Sequence, residues 1–124
     1  MVCLVCLGIS AKPKKKASPV RVACVGNSIT YGTGIADREH DSYPSLLQAL
    51  LGAGYEVGNF GKPGATLLRH GHRPYVQQSE YEAAKAFKGD IVVMHLGIND
   101  TDPRNWPDYR DEFIGDYCAL IDTF

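Results

Sequence analysis

The sequence predicts an α/β fold: a parallel sheet with helices on both faces. Strand-like and helix-like segments alternate three times along the chain, which is typical of parallel strands joined by helical crossovers. The strand-like segments are short and mostly apolar, as expected of strands that are buried on both faces. A glycine follows each of them and marks the end of the strand.

The three strands differ in how clearly the sequence marks them. Residues 20–25 form a β-branched apolar run, and residues 55–60 are a plausible second strand. Residues 90–96 (DIVVMHL) give the clearest pattern, because the segment has the character of a buried strand and breaks at Gly97. We expect these three segments to pair as parallel strands.

Three helices are predicted between and after the strands. In residues 42–54 a serine and a proline precede four leucines at helical spacing and two glycines follow, which predicts an amphipathic helix. An alanine- and glutamate-rich stretch from about Ser79 to Phe87 predicts the second helix. Five apolar residues at helical spacing predict a third, from a start near Pro107: Phe113, Tyr117, Leu120, Ile121 and Phe124.

The chain divides into three parts. Residues 1–11 are a short apolar run that ends in small residues, typical of a signal-peptide core, and residues 12–19 contain lysines and prolines typical of a linker. Residues 20–124 form the folded part, and we expect further elements of the domain to follow Phe124. The apolar run is shorter than the about 20 residues that span a bilayer. We therefore expect a secreted or periplasmic protein without stable membrane insertion.

Composition narrows the classes of partner. The chain is 44% hydrophobic and 22% charged, which is ordinary for a globular domain. A formal net charge of -1 supplies no basic field for nucleic acid, so we expect no nucleic-acid partner. The sequence does not indicate an oligomeric state.

The four cysteines do not predict a metal site. Cys3 and Cys6 lie in the predicted signal peptide, and no second ligand pair follows at zinc-site spacing. Cys24 lies in a strand-like run and Cys118 in a helix-like run, where free cysteines behave as small buried hydrophobic residues. A disulfide bond between them remains an open alternative.

Polar residues that suit chemistry follow all three strands. Ligands of open parallel sheets bind beyond the carboxyl ends of the strands. The segments found there are residues 26–30 (GNSIT), residues 59–66 (NFGKPGAT) and residues 97–100 (GIND). We therefore look for a site formed by these three segments.

Each segment contains one residue with both a structural and a functional interpretation. Ser28 is either the N-cap of a helix or a nucleophile exposed by a tight strand-to-helix turn. Gly64 is either a turn residue or the source of a backbone N–H for an oxyanion. Asn99 is either a loop residue bonded to its own backbone or a neutral donor to negative charge. Their occurrence at three equivalent strand ends favours the functional interpretation.

The three segments resemble, in order and spacing, the first three sequence blocks of the SGNH (GDSL-like) hydrolases. Residues 26–30 resemble the first block, which usually has aspartate where Asn27 stands, and asparagine supports a similar turn. Residues 97–100 match the third block, which is the most specific of the three. The resemblance covers residues 20–106. The loop 97–106 resembles the sialate O-acetylesterase-like and acetylxylan esterase-like branch in particular.

The resemblance implies a flavodoxin-like three-layer fold, incomplete here at the C-terminus, and a serine esterase that needs no cofactor and no metal. It implies that Ser28 is the nucleophile and that its own N–H is one oxyanion donor. The Gly64 N–H and the Asn99 side chain would supply the other donors. The implied substrate is a small-molecule or glycan ester, with acetyl as the expected acyl group. Further candidates for substrate binding are Asn27, Asp100, Arg69 and His72.

The histidines do not supply an obvious catalytic base. The family's base belongs to an Asp-x-x-His near the end of the domain, and none follows Asn99. The chain has one Asp-x-x-His, at residues 37–40, but it precedes the first full helix, and we assign it no catalytic role. We expect His95 to be a hydrogen-bonded core residue, and His70 and His72 to lie in a solvated loop.

Two alternatives to an esterase are considered. One is a non-catalytic carbohydrate-binding or vestigial module that keeps the fold without the base. The other is a nucleotide-binding domain, which has little support because neither a Gly-x-x-x-x-Gly-Lys loop nor a Gly-x-Gly-x-x-Gly turn follows the first strand.

Overall fold

A three-stranded parallel sheet forms the centre of the protein. The computed structural model describes residues 18–124, so the predicted signal-peptide core and most of the predicted linker lie outside the described residues. The strands are β1 (Val20–Gly26), β2 (Tyr55–Gly61) and β3 (Ile91–His95), in the order β2-β1-β3. All pairs are parallel, with Gly26 opposite Gly61 on one side and opposite His95 on the other. The predicted parallel sheet is confirmed.

Helices connect the strands and follow the last one. Single-turn helices α1 (Ser28–Tyr31) and α2 (Arg38–Asp41) precede the longer α3 (Tyr43–Leu51). Helix α4 (Ser79–Phe87) links β2 to β3, and α5 (Trp106–Tyr109) and α6 (Phe113–Ile121) come after β3. Short 3-10 segments lie at Gly52–Gly54, Tyr75–Gln77, Ile98–Thr101 and Arg110–Glu112.

The helix predicted from about Pro107 is broken in two. The 3-10 turn Arg110–Glu112 separates α5 from α6, and Tyr109 has backbone angles φ -120° and ψ 2°, outside the α-helical range. The predicted bounds of α4 are confirmed. Helix α3 lies within residues 42–54, where the amphipathic helix is predicted, with Ser42 as its N-cap and Gly52 as its C-cap. The Ser42 side chain contacts the Ser45 hydroxyl at 2.9 Å and does not cap the backbone of α3.

Helices α4 and α6 cover one face of the sheet. Val25 of β1 packs in a buried cluster with Ala84 of α4 and Leu120 of α6. The cluster is completed by Ala65, Leu67 and Tyr75 from the chain after β2. Full burial of such an aliphatic side chain contributes about 1.5–3 kcal/mol, so this cluster is a main source of stability.

Helix α3 covers the opposite face over β1 and β2. Its Gln48 side chain donates to the carbonyl of Tyr55 at 3.0 Å and accepts from the N–H of Val57 at 2.7 Å, which joins the helix to β2. Cys24 of β1 is buried on this face, and burial raises the pKa of its thiol. Helices therefore lie on both faces, as predicted, and the expected burial of Cys24 is confirmed.

The described helices leave β3 uncovered on the face that α3 occupies. Ile91 is 47% and Val93 37% exposed, and His95 is exposed as well. Within residues 18–124 the prediction of His95 as a core histidine is therefore wrong, because the alternation of side chains along β3 turns His95 to the face that no described helix covers.

Two other burial predictions also differ from the structure. Leu46 and Leu50 are exposed, so only part of the apolar stripe of α3 is buried. Cys118 is exposed on α6, and Cys24 and Cys118 are both free thiols. The expectation that Cys118 is buried is wrong, and the two cysteines form no disulfide bond. In the part of the chain that the structure describes, no helix is long and apolar enough to span a membrane.

Candidate active site

The loops that follow the three strands meet at the carboxyl edge of the sheet. The Lys62 N–H donates to the carbonyl of Gly26 at 2.8 Å, which joins the loop after β2 to the loop after β1. The Asn99 side chain donates from Nδ2 to the carbonyl of Ala65 at 2.8 Å, which joins the loop after β3 to the loop after β2. The segments that contain Ser28, Gly64 and Asn99 are therefore neighbours, as the sheet order predicts.

Ser28 is the first residue of α1, directly after the turn that ends β1. The N-cap is Asn27, whose Oδ1 accepts from the Ile29 N–H at 3.0 Å, so the interpretation of Ser28 as the cap is wrong. Because the first N–H groups of a helix have no partner inside it, the Ser28 N–H is not used by α1. Ser28 is partly exposed, and it lies at the carboxyl edge of the sheet, two residues after the end of β1.

Two glycines allow α1 to lie directly on the strand ends. A Cβ atom at Gly26 would collide with the side chain of Thr30, and one at Gly61 would collide with the backbone nitrogen of Tyr31. Any larger residue would push α1 away from the sheet. The position of Ser28 therefore depends on close backbone approach at both glycines.

Gly64 lies in a tight turn. The Ala65 N–H donates to the carbonyl of Lys62 at 3.1 Å, with Pro63 and Gly64 as the central residues and Gly64 at φ 77°. Proline followed by a residue of positive φ is the pattern of a type II turn, so Gly64 is a turn residue as its structural interpretation proposes. The Gly64 N–H is not part of the turn's own hydrogen bond. The Arg73 guanidinium holds the turn by donating to the carbonyl of Pro63 at 3.1 Å.

The structural interpretation of Asn99 is wrong, because its side chain does not bond to the backbone of its own loop. One hydrogen of its Nδ2 is directed to Ala65, immediately after Gly64, and an amide nitrogen carries a second hydrogen. Asn99 lies in the 3-10 segment Ile98–Thr101, which begins after Gly97 at φ 118°. The side chain is thus fixed against the loop after β2 with one donor left over.

The buried side chain of Asp100 joins the loop after β3 to the loop after β2. It is fully buried, and its two carboxylate oxygens accept from the N–H groups of Leu67 at 2.9 Å and Leu68 at 2.7 Å. Burial raises the pKa of Asp100, and the two backbone hydrogen bonds oppose that shift. Asp100 therefore fixes the loop after β3, in which Asn99 is its neighbour, to the loop after β2.

Asn105 is a site residue that the sequence analysis missed. It is fully buried, and its Oδ1 accepts from the His72 N–H at 2.8 Å. Its Nδ2 lies 3.0 Å from the Asn99 carbonyl and 3.0 Å from Nδ1 of His72. An asparagine in a proline-containing loop gives no local signal of such a role, because its partners are distant in the sequence.

The residues predicted to bind substrate lie in different environments. Asn27 is fully buried, and its Nδ2 has no hydrogen-bond partner within residues 18–124. Asp100 is buried as described, whereas Arg69 and His72 are exposed on the loop after β2. The backbone of Arg69 donates to the carboxylate of Asp116 at 2.8 Å. Their contacts with substrate stay predictions.

The remaining histidines form local pairs. His40 Nδ1 lies 3.0 Å from both carboxylate oxygens of Asp37, and this contact raises the pKa of His40 and lowers that of Asp37. His70 is exposed and contacts Glu112 at 2.7 Å, so the expected solvated loop is confirmed for it and for His72. Over residues 18–124 no group of three His, Cys, Asp or Glu side chains is placed to hold a metal ion.

Comparison with known proteins gives two similarities. The sequence profile of the GDSL-like lipase/acylhydrolase family matches residues 24–124. An acetylxylan esterase of Xylanibacter ruminicola is 48% identical over 109 residues, which is 88% of this chain and 22% of that protein. The chain thus spans about a fifth of the length of this relative. No solved structure matches the chain.

The Asp100 contacts predict a large loss of stability on truncation. In Asp100→Ala the N–H groups of Leu67 and Leu68 lose their acceptor. An unpaired buried group costs about 1–3 kcal/mol, so we expect the free energy of unfolding to fall by about 2 kcal/mol or more. Urea denaturation measures it. Asp111→Ala is the control, because that side chain is 97% exposed and should change stability by less than about 0.5 kcal/mol. Equal, small effects of the two variants would contradict the role of Asp100.

Proposed function

The chain belongs to the GDSL-like lipase/acylhydrolase family, and from this we propose that it supplies the nucleophile and the oxyanion-binding groups of a serine esterase. The observation that carries the proposal is the contact between the two loops that hold the donors. Asn99 Nδ2 bonds to the residue after Gly64, and the same loop bonds to the end of β1, two residues before Ser28. These contacts favour convergence of the three groups on one substrate atom.

In the proposed reaction, Ser28 Oγ attacks the ester carbonyl carbon and a general base removes its proton. The negative charge that develops on the carbonyl oxygen accepts hydrogen bonds from the Ser28 N–H, the Gly64 N–H and Asn99 Nδ2. The protonated base gives its proton to the leaving alcohol. Water, deprotonated by the same base, then attacks the acyl-enzyme, which releases the acyl group as a carboxylic acid and restores the Ser28 hydroxyl. This sequence of steps needs no cofactor.

We place the general base outside residues 18–124. Within these residues no hydrogen bond joins a histidine to Ser28. The side chains of His40, His70 and His72 contact Asp37, Glu112 and Asn105, respectively, and His95 is exposed on β3. The acetylxylan esterase relative extends far beyond the matched region, which supports a histidine elsewhere in the parent protein. The Asp37–His40 pair joins the N-cap of the single-turn helix α2 to the helix itself, and we assign it no role in the reaction.

The proposed substrate is an acyl ester of a carbohydrate, with acetyl as the acyl group. The name of the relative, acetylxylan esterase, supports a glycan or a small acetylated sugar. A partly exposed Ser28 at the edge of the sheet is compatible with a polymeric substrate, because no described segment covers it completely. We propose that the parent protein acts after secretion or export to the periplasm, consistent with the apolar run at residues 1–11.

A carbohydrate-binding module without catalysis is the second candidate. It needs no general base, so it is compatible with the contacts that the histidine side chains make within residues 18–124. The two candidates differ in whether Ser28 is activated. They are therefore separated by a reagent that reacts only with activated serine hydroxyls.

Covalent labelling of the full-length protein with a fluorophosphonate tests the proposed function. We expect label on Ser28, found by mass spectrometry of the digested protein, because an activated serine attacks the phosphorus. Ser28→Ala should abolish the label, and Ser79→Ala should retain it, since Ser79 is an exposed residue at the start of α4. A folded wild-type protein that binds sugar but takes no label would favour the binding module.

Replacement of Asn99 tests the oxyanion assignment. Asn99→Ala removes one proposed donor, and loss of such a donor raises the barrier by about 3 kcal/mol. We therefore expect kcat on an acetylated sugar to fall by roughly a hundredfold or more, with KM little changed. Ile98→Ala is the matched control, because Ile98 precedes Asn99 and is 58% exposed. A twofold change in Asn99→Ala would remove Asn99 from the mechanism.

A further inference from the structure

We propose that Asn105 is a positioning residue that holds Asn99 in the orientation needed to bind the oxyanion. This inference rests on the proposed function. Asn105 touches neither Ser28 nor Gly64 in the described hydrogen bonds, and its effect on the reaction would pass through Asn99. The role follows from the burial of its side-chain amide and from the hydrogen bonds that the amide makes to both His72 and Asn99.

Both the backbone and the side chain of Asn105 are fixed. Its N–H donates to the carbonyl of Asp102 at 2.8 Å. Its carbonyl, at the N-cap of α5, accepts from the N–H of Tyr109, the last residue of that helix, at 3.0 Å. The side chain is fully buried, and both ends of its amide have partners. A buried amide with all of these contacts has one orientation, since turning it over would put donor against donor and acceptor against acceptor.

The side-chain amide of Asn105 joins the loop after β3 to the loop after β2, and it contacts the backbone of Asn99 rather than its side chain. Nδ2 donates to the Asn99 carbonyl at 3.0 Å, while Oδ1 accepts from the N–H of His72 at 2.8 Å. The side chain of Asn99 is held separately, by Ala65 at 2.8 Å. Asn99 is thus held at its backbone by Asn105 and at its amide by Ala65, and the remaining Nδ2 hydrogen has a fixed direction.

Removal of the Asn105 contact should affect the rate more than substrate binding. Oxyanion donors act only when they are placed within a fraction of an ångström of the productive geometry, and misplacement by about 1 Å costs up to a hundredfold in rate. Without Asn105 the Asn99 carbonyl keeps only a longer contact, from the Asp102 N–H at 3.3 Å. The Asn99 side chain would then be present but less precisely oriented.

The chemistry of the Asn105 contacts makes an aspartate at this position sensitive to pH. An ionised carboxylate accepts from the His72 N–H but has no hydrogen for the Asn99 carbonyl, and its charge repels that oxygen. A protonated carboxyl group accepts with one oxygen and donates with the other, as the amide does. Asn105→Asp should therefore be impaired when ionised and restored when protonated.

The experiment compares Asn105→Asp, Asn105→Ala and wild type in the full-length protein on an acetylated sugar. At neutral pH we expect kcat of Asn105→Asp to be about tenfold or more below wild type, with KM within about twofold. The ratio of its kcat to that of wild type should rise as the pH falls through the carboxyl pKa. Asn105→Ala keeps the neighbouring His72 imidazole but has no carboxyl group, so its ratio should be low at every pH.

Three outcomes are distinguishable. The inference is overturned if kcat of Asn105→Asp stays within twofold of wild type at all pH values. It is also overturned if both variants lose kcat and the ratio of the Asn105→Asp kcat to that of wild type does not rise at low pH. If wild type is no more active than Ser28→Ala, the proposed function itself fails. The positioning role is then read from hydrogen exchange of the Asn99 side-chain amide by NMR: faster exchange in Asn105→Asp at neutral pH supports the role, and unchanged exchange overturns it.

Discussion

The site depends on one constraint: the buried polar groups of the loops after β2 and β3 must be satisfied by each other. Leu67 and Leu68 direct two N–H groups inward, and the carboxylate of Asp100 accepts both. The Ala65 carbonyl accepts from Asn99, and the Asn99 carbonyl from Asn105. Because an unpaired buried group costs about 1–3 kcal/mol, these loops cannot separate without a penalty. The arrangement that stabilises the loops is also the one that presents Asn99 beside Gly64.

The sheet fixes the other half of the site. The side chains of β1 from Val22 to Val25 are buried by helices on both faces, so its carboxyl end has little freedom. Gly26 and Gly61 then let α1 lie against the strand ends, where larger residues would collide with Thr30 and Tyr31. Ser28 is therefore attached to a rigid strand by a single residue, and its hydroxyl and N–H take their positions from the backbone. A nucleophile and its oxyanion donors gain most when their positions are set before substrate arrives.

The sequence predicted what is encoded locally. The strands, the bounds of α4 and the three segments at the carboxyl edge all follow from short-range patterns of apolar residues and glycines. The wrong predictions concern the burial of side chains, which depends on whether another helix or strand packs against them. His95, Leu50 and Cys118 are in apolar runs, yet each faces a side that no described element covers. The contacts of Asn105 were not predicted, because its partner His72 is 33 residues away and the residues of its own loop indicate only a turn.

The central claim is that Ser28, Gly64 and Asn99 direct their donors at one oxygen atom. The most direct measurement is a crystal structure of the full-length protein with a phosphonate covalently attached to Ser28, since its phosphoryl oxygen occupies the place of the oxyanion. We expect this oxygen to lie about 2.7–3.1 Å from the Ser28 nitrogen, the Gly64 nitrogen and Asn99 Nδ2. A phosphoryl oxygen that points to solvent, with Gly64 and Asn99 beyond hydrogen-bonding distance, would contradict it.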